Sequence, residues 1–148
     1  MSSFTDPSLY QELFARLDAS ESVPPSMSQE AQDRLYAIGY EQYNQGRYQQ
    51  AYEVFSRLVR QDMFSASYYK ALGACQENLG RNREAVLSYG LAWLFDPSRP
   101  DVLLHLGECL SAEKMIDEAI STLETCVSEA KDDEAHASNY ICPLSVLL

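Results

Sequence analysis

A chain of 148 residues, 46% of them hydrophobic, is long enough for one domain with a sizeable core. Its formal charge is −11, from 22 acids against 11 bases, with the excess acidity in the flanks; no basic block or basic face with interleaved aromatics is present, which argues against direct nucleic-acid binding. Four scattered cysteines without a CxxC pair fit a reducing compartment better than a disulfide framework, and neither a signal-peptide pattern nor a run of about 18 apolar residues occurs.

Taken in chain order, residues 1–27 open with Asp6-Pro7, an N-cap followed by proline at the first helical position. Leu9, Leu13, Phe14 and Leu17 then recur at helical spacing and predict a short amphipathic helix. Such a helix would cap whatever follows or serve self-association, and the polar, proline-containing stretch Asp18 to Met27 is a linker. Within residues 28–131 three segments, from Leu35, Tyr69 and Leu103, align without gaps. Gly39, Gly73 and Gly107 are 34 residues apart, and the same step relates Ala51, Ala85 and Ala119, then Phe55, Tyr89 and Leu123, then Ile38, Leu72 and Leu106. Each copy reads as a helix A, a short turn and a helix B, giving six helices between residues 33 and 131. Gly46 and Gly80 stand where helix A should end in a left-handed cap, whereas Lys114 occupies that place in the third copy. After the second copy, Asp96-Pro97 stops a helix and Ser98 with Asp101 reads as a capping box for the next. Residues 132–148 are weakly helical and end in "ICPLSVLL", expected to form a short capping segment or tail; the alternative is an apolar strand that folds into the groove or meets a second subunit.

The period of 34, with small residues where two helices must approach closely, resembles the tetratricopeptide repeat. The resemblance implies an all-α fold: three tandem helix-turn-helix repeats stacked as a superhelix with a concave binding surface.

Residues that could carry chemistry are few. Asp101, His105 and Cys109 fall at i, i+4 and i+8 on one helix and superficially offer acid, base and nucleophile. Asp101 is already assigned to the helix N-terminus, Cys109 takes the packing position of Cys75 one repeat earlier, and no oxyanion site is suggested. With only His105 and His136 as histidines, no zinc spacing and no glycine-rich phosphate loop, the expectation is no enzyme, no metal and no cofactor.

A binding surface is better supported. At about 100° per residue, Tyr36, Tyr40 and Tyr43 fall within an arc of about 60°, while Leu35, Ile38 and Gly39 centre roughly 110° away. The Leu35 face carries the repeat's signature positions and should pack on helix B, leaving the tyrosines surplus to that packing. In the repeat family their positions line the concave surface, and the same positions are Lys70, Ala74 and Glu77 in the second copy and Leu104, Glu108 and Ser111 in the third. Tyrosines suit recognition of an extended peptide because they offer stiff apolar area with a hydroxyl. The alternative is that they are core, covered by the N-terminal helix.

With "LGAC" at Leu72, the tyrosine-rich first helix and the count of three repeats, residues 28–125 resemble the class II chaperones of bacterial type III secretion, the translocator chaperones. The resemblance implies a chaperone of the bacterial cytoplasm that holds hydrophobic translocator proteins before export. An extended segment of the client would dock against Tyr36, Tyr40, Tyr43, Lys70, Ala74, Glu77, Leu104 and Glu108. It further implies a homodimer through the N-terminal helical region (Leu9, Leu13, Phe14, Leu17), a possible transcriptional regulator as partner, and no membrane insertion of its own. A general adaptor that assembles a complex without protecting an insoluble client is the alternative.

Overall fold

The computed structural model describes residues 25–132, besides the single Gln11. The expected N-terminal helix and the apolar C-terminal tail therefore lie outside the described residues. Six helices and no strand occur among the described residues: α1 (Gln29–Asn44), α2 (Tyr48–Gln61), α3 (Ala66–Asn78), α4 (Asn82–Phe95), α5 (Pro100–Ala112) and α6 (Ile116–Asp132). The fold is all-α, as the repeat predicts. Each helix packs chiefly on its neighbours in the chain, and α1 also touches α3, so the A helices α1, α3 and α5 follow one another along one side.

The 34-residue signature has a direct physical meaning. At Gly39 an added Cβ would lie 2.7 Å from the Phe55 ring, and at Gly107 it would lie 2.6 Å from Leu123. The large residue of each helix B thus lies across the glycine of its helix A, and the two classes repeat together because each needs the other. Ala51, Ala85 and Ala119, the small residues of each helix B, are fully buried. Helix α4 is buried from Ala85 through Ala92, as expected for a central helix covered on all sides.

The turns follow the glycines. Gly46 and Gly80 take φ of 76° and 75°, and the backbone N–H of Arg47 and of Arg81 closes onto Gln42 and Gln76 carbonyls at 2.9 and 2.8 Å. Lys114 adopts the same left-handed conformation, φ 62°, and Met115 N–H bonds Leu110 O at 2.9 Å. The third turn is built like the other two, at the steric cost of a side chain there.

Three local expectations are corrected. Helix α1 starts at Gln29, before the expected Asp33, because Ser28 Oγ accepts the Ala31 N–H at 3.2 Å as an N-cap. The Ser98–Asp101 capping box does not form: Arg99 holds the N-cap position without a side-chain bond, Ser98 bonds back to Asp96, and Asp101 pairs with Lys70. Ile38 does not pack on helix B; it is 48% exposed, whereas its equivalents Leu72 and Leu106 are buried.

Candidate functional site

The A helices converge on a cavity of about 180 Å³. From α1 come Tyr40 and Tyr43, with Phe55 behind them; α3 supplies Lys70, Ala71, Ala74 and Glu77; Tyr89 and His105 close the far end. Three successive repeats thus share one surface, aromatic at one end, small in the middle and charged at the other. Five of the eight sequence-predicted residues, Tyr40, Tyr43, Lys70, Ala74 and Glu77, line it.

The other three stand apart. Tyr36 is half-buried behind Tyr40, with ring centroids 4.9 Å from Tyr40, 5.7 Å from Phe55 and 5.5 Å from Tyr68. Its hydroxyl donates to Tyr40 Oη at 3.3 Å, and burial holds its pKa well above the ordinary phenol range. Tyr43 also packs, against Tyr48 at 5.2 Å, while its hydroxyl accepts from Asn78 Nδ2 at 3.0 Å. The tyrosines are therefore not surplus to packing: Tyr36 supports Tyr40, and the exposed part of the face is Tyr40 with the edge of Tyr43. Leu104 packs partly buried against the core, and Glu108 lies beside His105 outside the cavity lining.

The charges of the site are distributed unevenly. Lys70 forms an ion pair with Asp101 of the next repeat, both about a quarter exposed, and Arg99 approaches the same carboxylate at 4.0 Å. Burial alone would raise the Asp101 carboxyl, but the Lys70 hydrogen bond and charge, with Arg99 and His105, carry it below its usual value. The Lys70 ammonium is thus already neutralised. At the far end Tyr89 Oη donates to Glu77 Oε2 at 2.8 Å, and the Tyr89 ring stacks on His105 at 5.4 Å and 13°. His105 Nδ1 sits 3.6 Å from Glu77 Oε2 and 3.6 Å from Glu108 Oε2. Burial raises the Glu108 carboxyl against the pull of His105, and Glu77 adds to the rise. Sequence reasoning missed the role of His105 and Tyr89, because their meeting with Glu77 depends on how one repeat stacks on the next.

A nucleophilic role for Cys109 finds no support in this geometry. The thiol is 1% exposed, and burial, then the charges of Glu77, Glu108 and Glu113, push its pKa upward, away from the thiolate. Cys75, Cys109 and Cys126 are buried, and burial pushes the Cys75 thiol up to about 12; Cys126 donates its S–H to Pro100 O at 3.4 Å. Among the described residues no helix is long and apolar enough to cross a membrane. What the site offers is a slot for an extended chain: an aromatic wall for one apolar side chain, alanines that leave room for a backbone, and a polar end.

The comparisons agree with this reading. Residues 32–58 and 79–139 match family models described as tetratricopeptide repeat. The low calcium response locus protein H of Yersinia pestis is 30% identical over 122 residues, 80% of this chain and 73% of that protein. The crystal structure of PcrH with the chaperone binding region of PopD is similar at a TM-score of 0.73 and 31% identity, over 76% of this chain and 84% of that one. The Yersinia enterocolitica type III secretion chaperone SycD, solved with a peptide of the translocator YopD, gives 0.71 and 27% over 75% and 85%; SycD is also known in an alternative dimer. A three-repeat fold, a cavity across the A helices and relatives at this identity over most of their length converge: the chain belongs to the tetratricopeptide-repeat translocator chaperones of type III secretion, a family of binding proteins and not of enzymes.

Proposed function

We propose that this chaperone holds an extended segment of a hydrophobic translocator along α1, α3 and α5 and keeps that client soluble in the bacterial cytoplasm until export. The observation that carries the reading is the cavity across three repeats, with Tyr40, Tyr43 and Phe55 at one end and Ala71 and Ala74 forming a floor with little side chain in the way. An apolar anchor fills the aromatic end; its neighbours in the segment lie along the alanines. Affinity comes mainly from apolar burial, about 25 cal/mol per Å² before the ordering cost of the segment is subtracted. Because Lys70 is engaged by Asp101, the groove lacks a free cationic clamp at that point for a terminal carboxylate, which favours an internal segment.

Tyr40, Tyr43, Lys70, Ala74 and Glu77 form the contact set; Tyr36, Leu104 and Glu108 act as supports or outer contacts. A homodimer, as known for SycD, fits the family, with Leu9, Leu13, Phe14 and Leu17 as the proposed contacts. A transcriptional regulator as further partner rests on the family resemblance alone. The test is Ala74→Trp, which places an indole over the floor of the cavity. The expected result is a folded protein that no longer retains the translocator segment in a pull-down; unchanged retention would move the binding site elsewhere.

A further inference from the structure

We propose that Glu77, His105 and Glu108 form a binding site for a divalent transition-metal ion of the zinc class at the polar end of the groove. One ligand atom from each lies within 4.8 Å of the other two, with Glu77 contributed by α3 and the other two by α5. His105 and Glu108 are three residues apart on one helix, the spacing that puts two side chains on the same face and that helical metal sites use.

The distances are longer than hydrogen bonds and leave room for an ion between the three groups. At 3.6 Å from Glu77 Oε2 and 3.6 Å from Glu108 Oε2, His105 Nδ1 is too far from either for a proper N–H···O bond. Ligands about 2.1 Å from a tetrahedral ion lie about 3.4 Å from one another, close to the two 3.6 Å separations from Nδ1; the carboxylates lie within 4.8 Å of each other. Nδ1 is closed off from solvent and faces both carboxylates without a hydrogen bond to either. Among the described residues, neither glutamate has an ion-pair partner other than this imidazole, and the nearby Lys70 is engaged by Asp101.

The supporting shell is also in place. Tyr89 donates to the Glu77 carboxylate at 2.8 Å and its ring stacks on the imidazole, fixing two of the three ligands from one buried residue. Outer partners of this kind commonly contribute 10–100-fold to metal affinity. Three protein ligands leave a fourth position for water on the cavity side, where Glu77 and His105 are part of the lining. A bound ion would neutralise the two carboxylates and tie the second repeat to the third, whether or not a client is present.

The experiment uses the full chain, stripped with a chelator and titrated with Zn²⁺ by calorimetry and with Co²⁺ by absorption. Expected is one ion per chain, weakened at least about 100-fold by His105→Gln or Glu108→Gln, and a Co²⁺ spectrum with tetrahedral d–d bands but no thiolate charge-transfer band. Glu108 is about two-fifths exposed, so its glutamine variant keeps the fold and decides the matter if His105→Gln does not. Absence of binding, binding retained in Glu108→Gln, or a thiolate band from the cysteines would each overturn the proposal. Client binding is measured separately on the same variants, because Glu77 and His105 also line the groove.

Discussion

Replacing Tyr40 by Ala removes a side chain that both walls the groove and leans on the fold, and the structure sets how the cost divides. The residue is 37% exposed; its packed part consists mainly of edge-to-face contacts with Tyr36 at 4.9 Å and Phe55 at 5.7 Å. Each such pair is worth about 0.5–1.5 kcal/mol beyond the area it buries, so stability should fall by at least about 1–3 kcal/mol. For a chain of this length that lowers the melting temperature by roughly 3–10 °C. In the complex the exposed part of the ring becomes a buried aromatic contact at the anchor pocket, where truncation costs at least about 2 kcal/mol, or roughly 30-fold in Kd. The assay pairs a thermal melt with anisotropy of a labelled translocator segment, scored per folded molecule, and Tyr40→Phe serves as the control that keeps the ring. Affinity within about threefold of wild type, alongside a lowered melting temperature, would show Tyr40 to be core alone and refute the assignment of the aromatic wall.

Other substitutions test the frame around the groove. Gly107→Ala would put a methyl 2.6 Å from Leu123; overpacking of about 1–3 kcal/mol outweighs the helix-propensity gain of about 1 kcal/mol, so the urea midpoint should fall. An unchanged midpoint would mean that the α5–α6 crossing is looser than described. For Lys114→Gly, relief of the left-handed conformation, about 1 kcal/mol, is offset in part by the added freedom of the unfolded chain, and a small rise in melting temperature is expected. A fall would mean that the lysine side chain contributes contacts of its own. The Asp101 carboxyl is held below its usual value in the folded state, so its contribution is present above the unfolded pKa, near 4, and is lost as pH falls through the folded one. Urea midpoints between pH 5 and pH 3 should therefore drop more steeply for wild type than for Asp101→Asn; parallel curves would remove the Lys70 pair from the stability account.

The parts of this molecule legible in the sequence are those the repeat writes three times. Gly39, Gly73 and Gly107 oppose Phe55, Tyr89 and Leu123 because one geometric requirement recurs, and a recurring requirement shows as periodicity. Gly46 and Gly80 announce their turns for the same reason. What stays hidden depends on position within the array or on contacts between copies. Ile38 carries the repeat's apolar residue, yet it is exposed where its equivalents Leu72 and Leu106 are buried. Ser98 and Asp101 match a capping box in spacing, but Lys70 from the neighbouring repeat offers Asp101 a charge, and the local motif gives way to the non-local pair. Helical spacing put Tyr36, Tyr40 and Tyr43 on one face correctly, but could not show that Tyr68 and Phe55 would claim Tyr36 for the core. The convergence of Glu77, His105 and Glu108 belongs to the same class, since it exists only once α3 and α5 lie side by side.

Co-expression decides whether the groove along the A helices protects a hydrophobic translocator. The chain is produced with the translocator from the same bacterium, and the soluble fraction of that client is measured with wild type, with Ala74→Trp and with no partner. Wild type should give a soluble complex, and the client should aggregate in the other two cases. A client equally soluble without the chain, or equally protected by Ala74→Trp, would contradict it.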